Sequence, residues 1–105
     1  MALESIIKDN SGNIWFSTNQ GVYEYNGYVF HLHDTLDGLS GLPAYQIART
    51  EKGELYASTR DGLFLFENRR WRNIFSDPTH SLDILKMKEI EGEGLFCLSE
   101  NGFIR

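Results

Sequence analysis

Two histidines in one short segment are the first residues whose types and spacing could do chemistry. His31 and His33 are separated by one residue, so in an extended strand both imidazoles lie on the same face, a spacing that metal sites use. No other histidine or cysteine stands nearby in the sequence, and His31 aligns through an internal repeat with Arg72, a position typical of a polar surface. We therefore predict that the chain binds no metal.

Acidic and hydroxyl side chains offer weaker candidates for catalysis. Asp34 and Asp37 could form a carboxylate pair for glycosidic chemistry, which requires a separation of roughly 5 to 10 Å, but such residues in a glycine-rich loop more often form solvated turns. Ser17 and Ser58 recur without a partnering histidine. The glycines fall between predicted strands rather than before a helix, so they do not form a phosphate-binding loop. We predict no enzyme and no cofactor, and any kinase or other output activity would lie in further domains.

Composition and charge set the class of protein. The 105 residues are 41% hydrophobic and 24% charged, with a net charge of −5, which is typical of a soluble globular domain that contacts neither membrane nor nucleic acid. Arg69, Arg70 and Arg72 around Trp71 form the one dense basic spot. It could be a nucleic-acid patch, but the solvent side of a strand is the favoured interpretation. Cys97 is the only cysteine and is expected to be a small buried hydrophobe.

The chain contains an internal repeat of about forty residues. Shifting residues 6–30 by 41 positions superimposes them on residues 47–71, and a further shift of 40 aligns Leu55 with Leu95 and Gly62 with Gly102. A fixed period of this length is typical of repeat architectures. The pairs matched by the first shift are Ile6/Ile47, Gly12/Gly53, Ile14/Leu55, Trp15/Tyr56, Ser17/Ser58, Thr18/Thr59, Gly21/Gly62, Tyr25/Phe66 and Phe30/Trp71.

Each copy has the pattern of four short strands separated by tight turns. In the first copy, residues 6–8, 14–18, 22–25 and 28–33 are strand-like, and glycines or Asn26-Gly27 mark the turns. A four-stranded antiparallel meander at this period is typical of a β-propeller blade. We predict an all-β chain of about two and a half blades, with blade 1 at about 6–33, blade 2 at about 45–75 and a partial blade 3 at about 83–105.

The segment from Asp9 to Val22, DNSGNIWFSTNQGV, resembles the two-component regulator propeller repeat. The stretch from Gly38 to Pro43 is similar to that family's linker between blades. The second copy departs from the pattern with Tyr56 in place of tryptophan, and the third departs further, with Ser99 in place of threonine. The resemblance implies a fragment of a seven-bladed ring in the periplasmic sensor region of a bacterial histidine kinase or hybrid regulator, anchored in the inner membrane. It also implies response to a carbohydrate.

Ligand contacts in such a ring are expected at one rim of the blades. Trp15, Tyr56 and Phe96 occupy equivalent positions, so we predict that they form the core between blades. The loop between the second and third strands opens on the same rim as the connection to the next blade. That rim collects the candidate ligand-binding residues Asn19, Gln20, Tyr45, Arg60 and Asp61, a polar set with one aromatic ring that suits a carbohydrate or other small polar ligand.

Three functional hypotheses remain open at this point. The first is a non-catalytic sensory or ligand-binding segment of a signal-transduction protein, and the second is a scaffold for protein–protein interaction or dimerisation. The third is a fragment of a propeller enzyme such as a lyase or glycosidase, which would require a His-Glu-Arg cluster on one rim. Because an incomplete ring exposes apolar faces and unpaired strand edges, we also expect self-association through the open blade edges.

Overall fold

The structure, a computed structural model, describes residues 3–41, 44–75, 84–90, 94–99 and 102–104. Side chains are described for residues 5–41, 44–75 and Met87. Within these described ranges the regular elements are strands apart from one 3-10 helix, η1. They are β1 Leu3–Lys8, β2 Ile14–Thr18, β3 Gly21–Tyr25, β4 Phe30–His33, η1 Thr35–Asp37, β5 Ala44–Arg49, β6 Leu55–Thr59, β7 Gly62–Glu67, β8 Arg70–Phe75, β9 Ile84–Ile90, β10 Gly94–Ser99 and β11 Gly102–Ile104.

The strands form three antiparallel sheets in chain order. Sheet A consists of β1 to β4, sheet B of β5 to β8 and sheet C of β9 to β11, and each strand pairs with its neighbour in sequence. The predicted all-β chain with four-stranded antiparallel sheets is confirmed. The fourth strand of sheet A begins at Phe30, two residues later than predicted, because Asn26 Oδ1 accepts from the backbone N–H groups of Tyr28 and Val29, both at 3.0 Å, and holds them in the turn.

Two equivalent glycines begin the third strand of sheets A and B. Gly21 and Gly62 have φ angles of 141° and 145°, which side chains rarely adopt. A Cβ at Gly21 would lie 2.6 Å from the carbonyl oxygen of His33, and one at Gly62 would overlap that of Phe75. The repeat therefore keeps glycine here because the last strand of the sheet passes against the backbone.

The core lies between sheets A and B. Trp15 and Val22 project from sheet A onto Ile47, Phe64 and Trp71 of sheet B, and all five side chains are buried. The Trp15 ring meets the Trp71 ring edge-on, with centroids 6.0 Å apart, an arrangement that aromatic pairs favour. The predicted core role of Trp15 is thus confirmed. Tyr56 is half-buried, and the side chain of Phe96 lies outside the described residues.

The connection from sheet A to sheet B is anchored at both ends. Asp34 caps η1, accepting a hydrogen bond from Leu36 N at 3.0 Å, while Asp37 Oδ2 accepts from Asp34 N at 3.2 Å. Leu39 is buried in the core, and the backbone oxygen of Gly41 accepts from Arg60 N at 3.1 Å. No helix among the described residues is long and apolar enough to cross a membrane.

Candidate functional site

A buried carboxylate lies at the boundary between sheets A and B. Glu24 alternates with Val22 on the covered face of β3, and its side chain is only 4% exposed. Both carboxylate oxygens accept hydrogen bonds from side chains. Oε1 accepts from His33 Nε2 at 3.0 Å and Arg69 Nη2 at 2.7 Å, and Oε2 accepts from Asn13 Nδ2 at 3.1 Å and Arg69 Nη1 at 3.2 Å. Such pairing is what a buried charge requires.

Arg69 reaches this carboxylate from the turn between β7 and β8. Asn68 and Arg69 have φ angles of 55° and 61°, the left-handed pair of a tight hairpin turn in which the second residue is usually glycine. The arginine guanidinium makes a two-pronged contact with Glu24 and lies 5.1 Å from the centre of the Phe66 ring. Its side chain stays 65% exposed. An unfavourable backbone conformation here is accompanied by an ion pair that joins the two sheets.

His33 connects the same carboxylate to the tryptophan of sheet B. Its Nδ1 accepts from Trp71 Nε1 at 3.1 Å. Since the indole nitrogen can only donate, Nδ1 carries no proton, and the proton lies on Nε2, which donates to Glu24. The ring is therefore a neutral imidazole, buried between the sheets, and both nitrogens are engaged.

The pKa values follow from this arrangement. Burial lowers the pKa of His33 below its usual range, and the hydrogen bond to Glu24 offsets this in part. For Glu24, burial acts to raise the pKa, but the hydrogen bonds from Arg69 and His33 and the charge of Arg69 outweigh it, so the pKa is lowered. The bond to Glu24 raises the pKa of Arg69. At neutral pH the cluster holds one ion pair and one neutral histidine.

A cleft of about 360 Å³ opens over the cluster and is lined by Asn13, Glu24, Asn26, Val29, His31 and Arg69. Its walls offer amide groups, an imidazole and a partly exposed guanidinium. Because Arg69 neutralises Glu24, the cleft has mixed donors and acceptors rather than one dominant charge. This chemistry suits an uncharged polar ligand better than a strong anion.

The two histidines identified from sequence do lie together, along with Asp37. Potential ligand atoms of His31, His33 and Asp37 all lie within 4.8 Å of one another, and His31 Nε2 is 3.4 Å from Asp37 Oδ1. However, His33 could bind a metal ion only by giving up its bond to Trp71 or to Glu24. Asp34 and Asp37 cap η1, in agreement with their interpretation as turn-forming residues.

The five predicted ligand residues lie at the opposite end of the strands from the cleft. Asn19 and Gln20 form the β2–β3 turn, and Arg60 and Asp61 form the β6–β7 turn, whereas the cleft is built on the β1–β2 and β3–β4 turns. Tyr45 is half-buried on β5. Gln20 Oε1 accepts from the Tyr23 hydroxyl at 2.9 Å. Their role in ligand binding stays a prediction.

Sequence reasoning missed the Glu24–His33–Arg69 cluster, although the repeat carried a signal for it. A shift of 41 places Leu65 at the position of Glu24 and Ile74 at that of His33. Sheet A thus has a charged residue and a histidine where the second copy of the repeat has two aliphatic residues. This difference indicates a polar contact that sheet A makes and sheet B does not. The partner of Glu24 is Arg69, which belongs to the basic spot predicted to lie on the solvent side of a strand.

The other two arginines of that spot also have partners. Arg70 Nη1 donates to the Leu36 carbonyl at 3.2 Å, and Arg72 Nε donates to Glu67 Oε1 at 2.6 Å. Both pairs are exposed. The three guanidinium groups thus each contact a protein oxygen, and the absence of a nucleic-acid partner stays a prediction.

Comparisons with known proteins find a structure with a similar fold but no match in sequence. No family model matches the chain, and no curated protein matches it in sequence. Among solved structures, it is similar to that described as "Crystal Structure of the extracellular domain of the putative one component system BT4673 from B. thetaiotaomicron", with a TM-score of 0.76 and 23% identity. The match covers 97% of this chain but 14% of the other, so this all-β segment corresponds to a small part of that larger domain.

Proposed function

We propose that the chain is a non-catalytic segment of a β-propeller in the extracytoplasmic, ligand-binding region of a bacterial sensor protein. The observation that carries this proposal is a hydrogen bond between sheets that recurs with the repeat. Ser5 Oγ accepts from Ile47 N at 3.0 Å, and Gln46 Oε1 accepts from Met87 N at 2.8 Å. Gln46 is the repeat equivalent of Ser5, and Met87 is the equivalent of Ile47.

The recurrence supports a ring-like arrangement of sheets. The first strand of each sheet contacts the first strand of the next, β1 with β5 and β5 with β9. In a propeller the inner strands of successive blades lie side by side around a central axis. Equivalent residues joining equivalent strands are what a constant rotation from one sheet to the next produces.

The sensor assignment rests on two supports. The sequence resembles the two-component regulator propeller repeat, and the fold is similar to part of an extracellular domain of a one-component system, as that structure's description puts it. The proposed location outside the cytoplasm and a carbohydrate or other small polar molecule as ligand come from the same resemblance. The cleft, with its amides and imidazole, is a second candidate ligand site in addition to the predicted rim at the other end of the strands.

A ligand screen tests the proposal. Thermal unfolding of the 105-residue chain is followed with a panel of neutral and acidic oligosaccharides, and hits are measured by calorimetry. Asp61→Ala alters the rim and His31→Ala alters the cleft, so each serves as control for the other. We expect one variant to lose binding and the other to keep it. If no compound raises the melting temperature of the unaltered chain, the scaffold function is favoured instead.

The scaffold alternative is supported by one specific observation, a pair of aromatic rings on the surface of sheet A, where Phe30 is 62% exposed and stacks on Tyr25 with ring centroids 4.4 Å apart. No comparable observation favours a lyase or glycosidase among the described residues. Glu24 is held by Arg69 and His33, and Asp37 by the cap of η1, so neither carboxylate is placed as an acid or base toward a substrate.

A further inference from the structure

Arg69 occupies a strained backbone position at the edge of the cleft. Its φ angle of 61° lies in the left-handed region, where glycine has no steric cost and arginine does. Stability alone does not explain the arginine, because apolar residues can often replace a buried ion pair at little or no cost. The second copy of the repeat has Leu65 at the position of Glu24. Strain of this kind is often kept where a side chain makes a functional contact.

The cleft offers more hydrogen-bond donors than acceptors. The Glu24 carboxylate already accepts four side-chain bonds, which fill its lone-pair sites. Arg69 uses one N–H of each terminal nitrogen for Glu24 and keeps the rest of its donors. Asn26 Oδ1 accepts from two backbone N–H groups, so Asn26 presents its amide N–H groups. Asn13 donates one N–H to Glu24 and keeps its amide oxygen as an acceptor.

The cleft also has an apolar wall and little net charge. Val29 lines it and is 61% exposed, while the charges of Glu24 and Arg69 neutralise each other. A fitting ligand is therefore uncharged and carries an acceptor next to a small apolar group. A carbonyl oxygen meets this need better than a hydroxyl, because the carbonyl only accepts, whereas each hydroxyl also brings a proton that needs an acceptor.

The equivalent positions of sheet B do not present the same groups. Glu67 and Arg72 form an ion pair with each other, and Glu54 Oε1 accepts from Thr50 Oγ1 at 3.2 Å. The polar set of the cleft is thus specific to sheet A and is not required by the repeat. A shift of 41 converts Asn13, Asn26, Val29 and His31 into Glu54, Glu67, Arg70 and Arg72.

We propose that the cleft binds an N-acetylated hexosamine through its acetamido group. The inference rests on the proposed sensor function and names the class of sugar. The acetamido carbonyl oxygen accepts from the Arg69 guanidinium, the methyl group lies against Val29, and the acetamido N–H donates to Asn13 Oδ1. The volume of about 360 Å³ is within the range of small-molecule sites. A sugar acid fits less well, because Glu24 has already neutralised the one cation of the cleft.

Paired sugars that differ at one substituent test the proposal. Calorimetry of the 105-residue chain compares N-acetylglucosamine with glucose and N-acetylgalactosamine with galactose, each up to about 20 mM. At least one N-acetyl sugar should bind about tenfold more tightly than its partner hexose, because the hexose lacks the carbonyl that bonds to a charged donor. Arg69→Gly relaxes the turn, removes the guanidinium and should reduce the preference to less than about threefold.

Arg72→Ala is the matched control, since it removes an arginine of the same sheet that pairs with Glu67 outside the cleft. It should keep the preference of the unaltered chain. If Arg69→Gly unfolds because Glu24 loses its partner, the double variant with Glu24→Leu replaces it, and circular dichroism checks that each variant is folded.

Three results would overturn the proposal. They are no binding of either N-acetyl sugar, equal affinities for an N-acetyl sugar and its hexose, and a preference that Arg72→Ala removes as fully as Arg69→Gly does. The ligand screen reports separately on the sensor function. If both N-acetyl sugars fail while another oligosaccharide of that screen binds, the sugar class is wrong and the sensor function stands.

Discussion

The Trp71 indole N–H donates to His33 Nδ1 at 3.1 Å, across the boundary between sheets A and B. This contact fixes the neutral form of the imidazole, with its proton directed at Glu24 3.0 Å away. The hydrogen-bond chain from Trp71 through His33 to Glu24, together with Arg69, joins the two sheets alongside their apolar core and the hydrogen bond from Ile47 N to Ser5 Oγ. The consequences can be measured as pH dependence and as coupling energies.

The first prediction is a loss of stability in mild acid. The unfolded state, with a histidine pKa of about 6.5, takes up a proton before the folded state, in which the pKa of His33 is lowered by burial. Since the unfolded state then binds more protons, the free energy of unfolding falls as the pH drops below about 6.5. Protonated Nδ1 would also face the Trp71 N–H, donor against donor.

Urea denaturation between pH 5 and 8, followed by fluorescence of Trp15 and Trp71, measures this dependence. His33→Gln should flatten the profile between about pH 6.5 and 5. His31→Gln removes a neighbouring imidazole that contributes to the lowered pKa of His33, so it should reduce the slope less than His33→Gln does. Equal slopes for the two variants would contradict the assignment of this pH dependence to His33.

The second prediction concerns acid below the histidine range. Glu24 has a lowered pKa in the folded state, where hydrogen bonds from Arg69 and His33 outweigh the effect of burial. Its contribution to stability is complete above the unfolded pKa of about 4.3 and is lost as the pH falls through the folded value. Glu24→Gln removes this titration, so the steep fall below about pH 4.3 should become shallower.

The third prediction compares the part-buried ion pair of Arg69 and Glu24 with an exposed ion pair. Arg69→Ala leaves the Glu24 carboxylate buried with fewer donors and should cost about 1–3 kcal/mol of unfolding free energy. Arg72→Ala, which breaks an exposed pair with Glu67, should cost about 0–1 kcal/mol. Glu24→Leu introduces the residue found in the second repeat, and the double variant with Arg69→Ala should be more stable than Arg69→Ala alone. If the losses of unfolding free energy for Glu24→Leu and Arg69→Ala simply add in the double variant, a direct interaction between Glu24 and Arg69 would be contradicted.

The fourth prediction compares two equivalent serines. Ser17 Oγ lies 2.6 Å from Ser5 Oγ, whereas Ser58 Oγ is buried without a hydrogen-bond partner among the described residues. The side chain at the position equivalent to Ser5, Gln46, bonds to β9 instead. Ser17→Ala should cost about 1 kcal/mol, and Ser58→Ala should be neutral or stabilising. Equal losses of unfolding free energy for Ser17→Ala and Ser58→Ala in chemical denaturation would contradict this difference between the two serines.

The repeat made the architecture of the sheets predictable, because each turn and strand carries a local signal. Gly21 and Gly62 mark the same backbone conformation in two copies, and Trp15 with its flanking residues has the composition of a buried strand. The Glu24–Arg69 pair was not predictable in the same way. It joins residues 45 positions apart, and neither neighbouring sequence shows that the turn at Asn68 and Arg69 points its guanidinium at β3.

The candidate ligand residues illustrate the same limit. Their type and turn positions follow from the sequence, but the cleft forms on the other turns, where Asn13, Asn26 and Arg69 approach from two sheets. Local patterns identify which side chains are polar and where strands end. They do not identify which ends of two separate sheets enclose a space.

The central claim is that the three sheets are successive propeller blades related by one rotation. A crystal structure of the 105-residue chain tests it most directly, through the transformation that superimposes sheet A on sheet B and the one that superimposes sheet B on sheet C. We predict equal rotations about one shared axis, of about 45° to 90° for rings of eight to four blades. Unequal rotations, or axes that do not coincide, would contradict the propeller.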